Sequence, residues 1–321
     1  TGLILRFFLS RHVLPEIRFK PAFINRTVAH ELLSFGTWSF VSESSHRIRT
    51  HADPIILNKL ATSFDVTCFY LGNMVFRQIT AFLLHITQPI LPGLTALNAT
   101  EQYQRLGRIF VRYNRIIIWG FMLAAVPLLV FRNELVLLYV GKRFMPVATV
   151  MLLLFVSEAV TKTYSMLHKL TVARGKVKFM AIAGSIFQGT NLFLTILLVG
   201  IWHLGAVGSA ISTAVVTIGL QSVVLLPYAL KTADISFLFL LKETIIPGFL
   251  PTIITLPVAF LLRESMESNL SWDIVLLNMV IVGILYLGVT YALAFRTEDR
   301  KDLQGIVKNI TAFFQKTNLS H

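Results

Sequence analysis

Charge is scarce in this 321-residue chain: Asp, Glu, Lys and Arg make up 14% of it, 55% is hydrophobic, and the mean hydropathy is +0.70. Soluble domains are nearer a quarter charged, so the composition excludes a soluble globular protein and reads as a polytopic membrane protein. Cysteine is all but absent, and Cys68 alone excludes a disulfide framework or a cysteine-rich metal site. Acidic residues are also few, 16 against 29 Lys and Arg, for a net charge of +13. In a soluble protein that excess would suggest nucleic acid. In a membrane protein the positions of the positive residues matter more than their sum, and no nucleic-acid partner is expected. The chain has no Walker A loop, no H-E-x-x-H and no G-x-S-x-G elbow. Asp234 and Asp273 are isolated, and every loop between apolar runs is too short for a catalytic domain. Neither an enzyme nor a bound cofactor is expected.

What is abundant is long apolar sequence. Segments at about 27–49, 64–94, 116–131, 147–170, 179–201, 205–229, 244–262 and 273–295 are each near the roughly 20 residues that cross a bilayer. They predict an all-α, polytopic transmembrane bundle of about eight helices. Residues 1–10 read as the end of a truncated upstream helix. Residues 11–27, with Arg11, Arg18, Lys20 and Arg26, read as a cytoplasmic linker. A six-helix bundle follows over 28–229, then an additional helix pair over 230–295 and a charged tail over 296–321. Asp53-Pro54 is expected to end the first span, because the residue before proline is pushed out of the α region. Arg105, Arg108, Arg112 and Arg115 predict an amphipathic helix lying on anionic membrane lipids. With the linker placed inside, cytoplasmic segments hold nineteen Lys and Arg and the opposite side five, so both ends are expected in the cytoplasm.

The remaining positive residues, Arg47, Arg49, Arg77, Lys162 and Lys169, fall within spans or at their ends. An ionisable residue inside a membrane is a functional-site hypothesis, since it is tolerated only against water, a partner or a ligand. Arg49 and Lys169 are close enough to span ends to snorkel, whereas Arg47 and Arg77 are deeper. Glu31, Ser34, Trp38, Ser42, Ser45 and Arg49 recur at steps of three or four and predict a polar helix face lining a cavity. Asn73, Arg77, His85 and Gln88 fall near one side of the next helix. Glu158, Lys162, Ser165 and Lys169 form a second stripe in which Glu158 and Lys162 have the favoured ion-pair direction. That pair reads either as a lock between helices or as part of a site. Gln188, Asn191 and Gln221 read as interhelical glue. Two or three guanidiniums in a low-dielectric pocket hold a phosphate or pyrophosphate through charge-assisted, often bidentate bonds.

Several stretches carry a resemblance: RIRTHADPIILNKL (47–60), PILPGLTAL (89–97), RLGRIFVRYNR (105–115), VGKRFMPVATVMLLL (140–154), TVARGKVKF (171–179) and NLFLTILLVGIWHLGAVGSAIST (191–213). In this order they resemble the polysaccharide flippases of the multidrug, oligosaccharidyl-lipid and polysaccharide exporter superfamily. The resemblance implies the second lobe of a MATE-like exporter with an extra helix pair, its partner lobe lying upstream. It implies a bacterial inner-membrane flippase for undecaprenyl-pyrophosphate-linked oligosaccharide that works by alternating access, with protons or sodium as the coupling ion. Carried over, Arg47, Arg49 and Arg77, with Asn73 and Gln88, would bind substrate. Asp53, Glu158 and Lys162 would be the ion-coupling candidates. A drug exporter of the same superfamily and a membrane glycan ligase or polymerase are the alternatives.

Overall fold

The computed structural model describes residues 25–87, 103–166, 170–171, 177–265 and 270–295. Among them every regular element is helical. With no water to satisfy backbone groups in a hydrocarbon layer, helices are one of the two structures that can cross it. The order is α1 (Arg26–Leu60), α2 (Ser63–Thr87), α3 (Tyr103–Val130), α4 (Arg132–Tyr139), α5 (Pro146–Lys162), α6 (Val177–Ile201), α7 (Gly205–Ala233), α8 (Phe237–Glu264) and α9 (Trp272–Ala294). Six helices are long and apolar enough to cross a membrane: α3 from Arg112, the α5 region, and α6 to α9. α1 and α2 have the length but are more polar. This is an all-α, multi-pass bundle.

Two expected boundaries are corrected. α1 does not stop at Asp53-Pro54 but runs through Pro54 to Leu60. An interior proline removes one backbone hydrogen bond, and packed membrane helices accommodate that loss through neighbouring groups. The basic stretch is likewise no separate surface helix, because α3 is continuous from Tyr103 to Val130. Arg115 is 4% exposed, donates from Nη1 to the Glu243 carbonyl at 3.3 Å and lies 5.8 Å from the Trp119 ring centroid.

α2 opens with a reciprocal cap. The Thr62 hydroxyl accepts from the Asp65 N–H at 3.2 Å, and Asp65 Oδ2 accepts from the Thr62 N–H at 3.2 Å. Asp65 Oδ1 also accepts from the Ala206 N–H at 3.1 Å, so the start of α2 is tied to the start of α7. Gly205 makes that approach possible, having φ +52° and no Cβ to overlap Asp65 Oδ1. Deeper in the bundle Gly72 lets α2 meet α5, since a Cβ there would stand 2.7 Å from Val150 Cγ1. The core between these helices contains Leu57, Ile118, Phe121, Phe131, Phe155 and Tyr286. Outer faces are apolar too, as Leu277, Ile284 and Leu293 on α9 show, which suits contact with lipid.

α8 and α9 pack against α3. Trp119 on α3 donates its indole N–H to the Pro247 carbonyl at 3.0 Å. At the other end Arg263 donates from Nε to Glu134 Oε1 at 2.7 Å. Burial, and then the neighbouring Arg263, lowers the pKa of Arg132 there, against the opposing pull of Glu134.

Candidate functional site

A cavity of about 490 Å³ opens between α1, α2, α3, α5 and α7. Six of the side chains singled out in the sequence line it: Asp53, Asn73, Arg77, Glu158, Lys162 and Ser165. α2 supplies the longest wall. Asn73, Arg77 and Thr80 stand at i, i+4 and i+7, the spacing that places side chains on one helix face. Phe69, Phe76 and Leu83 supply apolar surface beside them. Arg77 makes no ion pair or hydrogen bond with the described residues and is exposed. Thr80 Oγ1, one turn further along, is buried without a hydrogen-bond partner.

α5 supplies the facing charges. Lys162 Nζ donates to Glu158 Oε1 within the same helix, and the two side chains are only 10% and 12% exposed. The ammonium also lies 5.5 Å from the Phe121 ring centroid, which adds a cation–π contact. Immediately after Lys162 the helix gives way to a turn at Thr163 and Tyr164 before a helical Ser165. Asn114, fully buried on α3, fits this break. Its Nδ2 donates to the Thr163 carbonyl, and its Oδ1 accepts from the Ser165 hydroxyl at 3.2 Å and the Met166 N–H at 3.3 Å. Ser165 therefore still faces the cavity with Glu158 and Lys162.

On α1, Asp53 is 6% exposed and its Oδ1 accepts from Thr195 Oγ1 at 3.3 Å. α7 adds Thr213 and Thr217, the second of them within a π-helical stretch, Val215–Gln221. Such stretches are rare and often mark functional positions.

The other expected site residues stand elsewhere. Arg47 is corrected: it does not line the cavity, its side chain is 74% exposed, and its Nε donates to Glu43 Oε1 at 3.2 Å. On an α-helix the six-residue step to Asp53 leaves the two side chains about 120° apart, so they do not share a face. The side chain of Arg49, all of Gln88 and Lys169 lie outside the described residues. The polar stripe of α1 is also corrected in part, since its middle packs on α6 rather than lining a cavity. Ser45 and Ser185 hydroxyls lie 2.8 Å apart, and Lys178 Nζ lies 5.3 Å from the Trp38 ring centroid. Small polar groups joining helices in this way are common in membrane bundles. Asn191, bonded to Ser212 at 3.1 Å, joins α6 to α7 as expected of interhelical glue.

The described lining thus balances Arg77 and Lys162 against Asp53 and Glu158. No family model, curated protein or solved structure matches the chain. Its chemistry rests on the cavity itself. Two cations, an amide and several hydroxyls can hold an anionic head group, while the aromatic and aliphatic wall takes less polar parts.

Asn114, Thr80, Ser157, Thr213 and Thr217 escaped the sequence reading. Thr80 was findable, standing three residues after Arg77. Asn114 carried no signal, because it adjoins Arg115 in a run read as surface-lying.

Proposed function

We propose that the chain is the cavity-bearing lobe of a flippase that moves a lipid-linked, pyrophosphate-bearing oligosaccharide across a bacterial inner membrane by alternating access. The observation that carries this reading is Arg77, a guanidinium without an ion partner among the described residues, on the wall of a cavity inside an apolar helical bundle. A charge in such a place costs about 2.5–3.5 kcal/mol on insertion scales unless water or a ligand offsets it. Arg77 would take the pyrophosphate together with Lys162, while Asn73, Thr80 and Ser165 bond the first sugar. The isoprenoid stays in lipid beside the outer helices, so the charged head never has to dissolve in hydrocarbon. The resemblance of the 47–60, 105–115 and 191–213 stretches to polysaccharide flippases supports the same substrate class. Asp53 and Glu158 are the candidates for coupling to protons or sodium, and a partner lobe completes the pathway.

Arg77→Ala in the complete protein, at matched membrane abundance, is expected to abolish export of the glycan. Export at the wild-type rate would remove Arg77 from the site and the reading with it. A second reading, export of organic cations, is favoured by the two carboxylates beside Phe69 and Phe76. Saturable binding of an aromatic cation that persists in Arg77→Ala would select it.

A further inference from the structure

Two guanidiniums stand together at one end of the bundle, outside the cavity lining. Arg132 opens α4, and Arg263 belongs to the last turn of α8. Arg132 donates from Nη1 to the Leu129 carbonyl at 2.7 Å, and Arg263 donates from Nε to Glu134 Oε1 at 2.7 Å. A guanidinium carries further N–H donors, and among the described residues these have no other acceptor. Each residue lies at or just past a helix C-terminus, where a cation is favoured. That accounts for one bond apiece, but not for two like charges set so close that Arg263 adds to burial in lowering the pKa of Arg132. Glu134 offsets one of the two charges. Glu264, next to Arg263, forms no ion pair with either among the described residues. The cluster therefore keeps one positive charge uncompensated.

Its surroundings are those of a bilayer surface. The apolar spans of α3 and α8 end here, at Val130 and Glu264. Tyr139, Trp202 and Trp272 are exposed at the same end, as aromatic residues at head-group level are. One turn deeper on α8 Phe260 is exposed, and α9, packed on both α4 and α8, leaves Leu277 exposed. A free anion gains nothing from that apolar flank, whereas an acyl chain does.

We propose that Arg132 and Arg263 together bind the phosphate of an anionic phospholipid, a phosphodiester without a cation of its own, as in phosphatidylglycerol. The single phosphodiester charge balances the uncompensated guanidinium. Its two free oxygens accept N–H groups from both residues in charge-assisted bonds, while its acyl chains pass Phe260 and Leu277 into the hydrocarbon. A choline lipid brings its own cation into a cluster that is already positive. The bound lipid fastens α4 to α8 a second time, beside the Arg263–Glu134 bond. This site is separate from the cavity and does not depend on what the cavity carries.

The test is hydrogen–deuterium exchange of the protein in a neutral detergent, titrated with dioctanoyl phosphatidylglycerol, dioctanoyl phosphatidylcholine or inorganic phosphate. Phosphatidylglycerol is expected to slow exchange saturably in peptides over 131–140 and 258–265, and at lower concentration than phosphatidylcholine. Inorganic phosphate is expected to leave both peptides unchanged. Arg132→Gln should raise the half-saturating concentration about tenfold, as the loss of one charge-assisted contact implies. Lys142→Gln, which removes an exposed cation past the far end of α4, should keep the wild-type value. Equal protection by the two lipids, or none by either, overturns the proposal. So does an unchanged half-saturating concentration in Arg132→Gln, or protection by inorganic phosphate equal to that by phosphatidylglycerol. The comparison of lipids on wild type requires no variant to fold.

Discussion

Trp119 and Gly205 show how single residues settle local conflicts in this bundle. Pro251 has no N–H, so the Pro247 carbonyl four residues earlier has no helical donor, and the Trp119 indole provides one. Gly205 answers a crowding problem. At φ +52° a side chain would be strained by about 1–2 kcal/mol, and its Cβ would meet the Asp65 carboxylate that holds the Ala206 N–H. Gly205→Ala is therefore expected to lower stability by about 2–4 kcal/mol, combining backbone strain with loss of that charge-assisted bond. Thermal unfolding in detergent would show it. Asp65→Ala should recover part of the loss in the double variant, because the two sites share one contact. An additive double variant would show that the crowding is not with Asp65.

At the scale of elements, the break after Lys162 is the feature that most affects the site. The sequence TKTYSM contains neither proline nor glycine, and its periodicity continues through the turn, which is why a single span to about 170 is the natural reading. The interruption depends on Asn114, a side chain from another helix, and no local pattern encodes a tertiary partner. Asn114→Ala would leave the Thr163 carbonyl and the Met166 N–H without their described partner, at about 1–3 kcal/mol for each buried group. Because Lys162 and Ser165 flank the turn, this variant is expected to weaken binding of the pyrophosphoryl sugar as well as the melting temperature. Trp119→Phe removes a hydrogen bond away from the cavity lining and should lower the melting temperature alone. Equal ligand affinity in both variants would detach the turn from the site. The apolar helices were legible because long hydrophobic runs report burial or lipid directly, as α9 does. The faces of α1 were less so. Glu43 and Arg47 stand at i, i+4 as Glu158 and Lys162 do, yet one pair is exposed and the other nearly buried. Spacing fixes which residues align on a helix, but not which way the helix is turned.

Across the whole molecule, contacts between distant parts of the chain show how the helices alternate. Asp65 and Ala206 bring the starts of α2 and α7 together. Arg115, within α3, meets Glu243 near the start of α8, and past the other end of α3 Glu134, in the first turn of α4, meets Arg263 in the last turn of α8. α3 and α8 therefore run parallel, and the last helix pair is fastened to the body at both ends. The cavity lies in that body, assembled from five helices whose residues are far apart in the sequence. Its membership was only partly legible. Charged residues in apolar runs announced Arg77, Asp53, Glu158 and Lys162, whereas hydroxyl-bearing Thr and Ser are common in membrane helices and announce nothing alone.

Cys68, the one thiol of the chain, sits at zero exposure within the core beside Leu57 and Phe69. A membrane-impermeant maleimide should accordingly leave the native protein unmarked, and each cysteine introduced at a loop would report on a silent background. Placed in turn beside Gly141, Trp202 and Asp234, such tags would reveal which leaflet each end of the bundle meets, with no need to remove the natural sulfhydryl first.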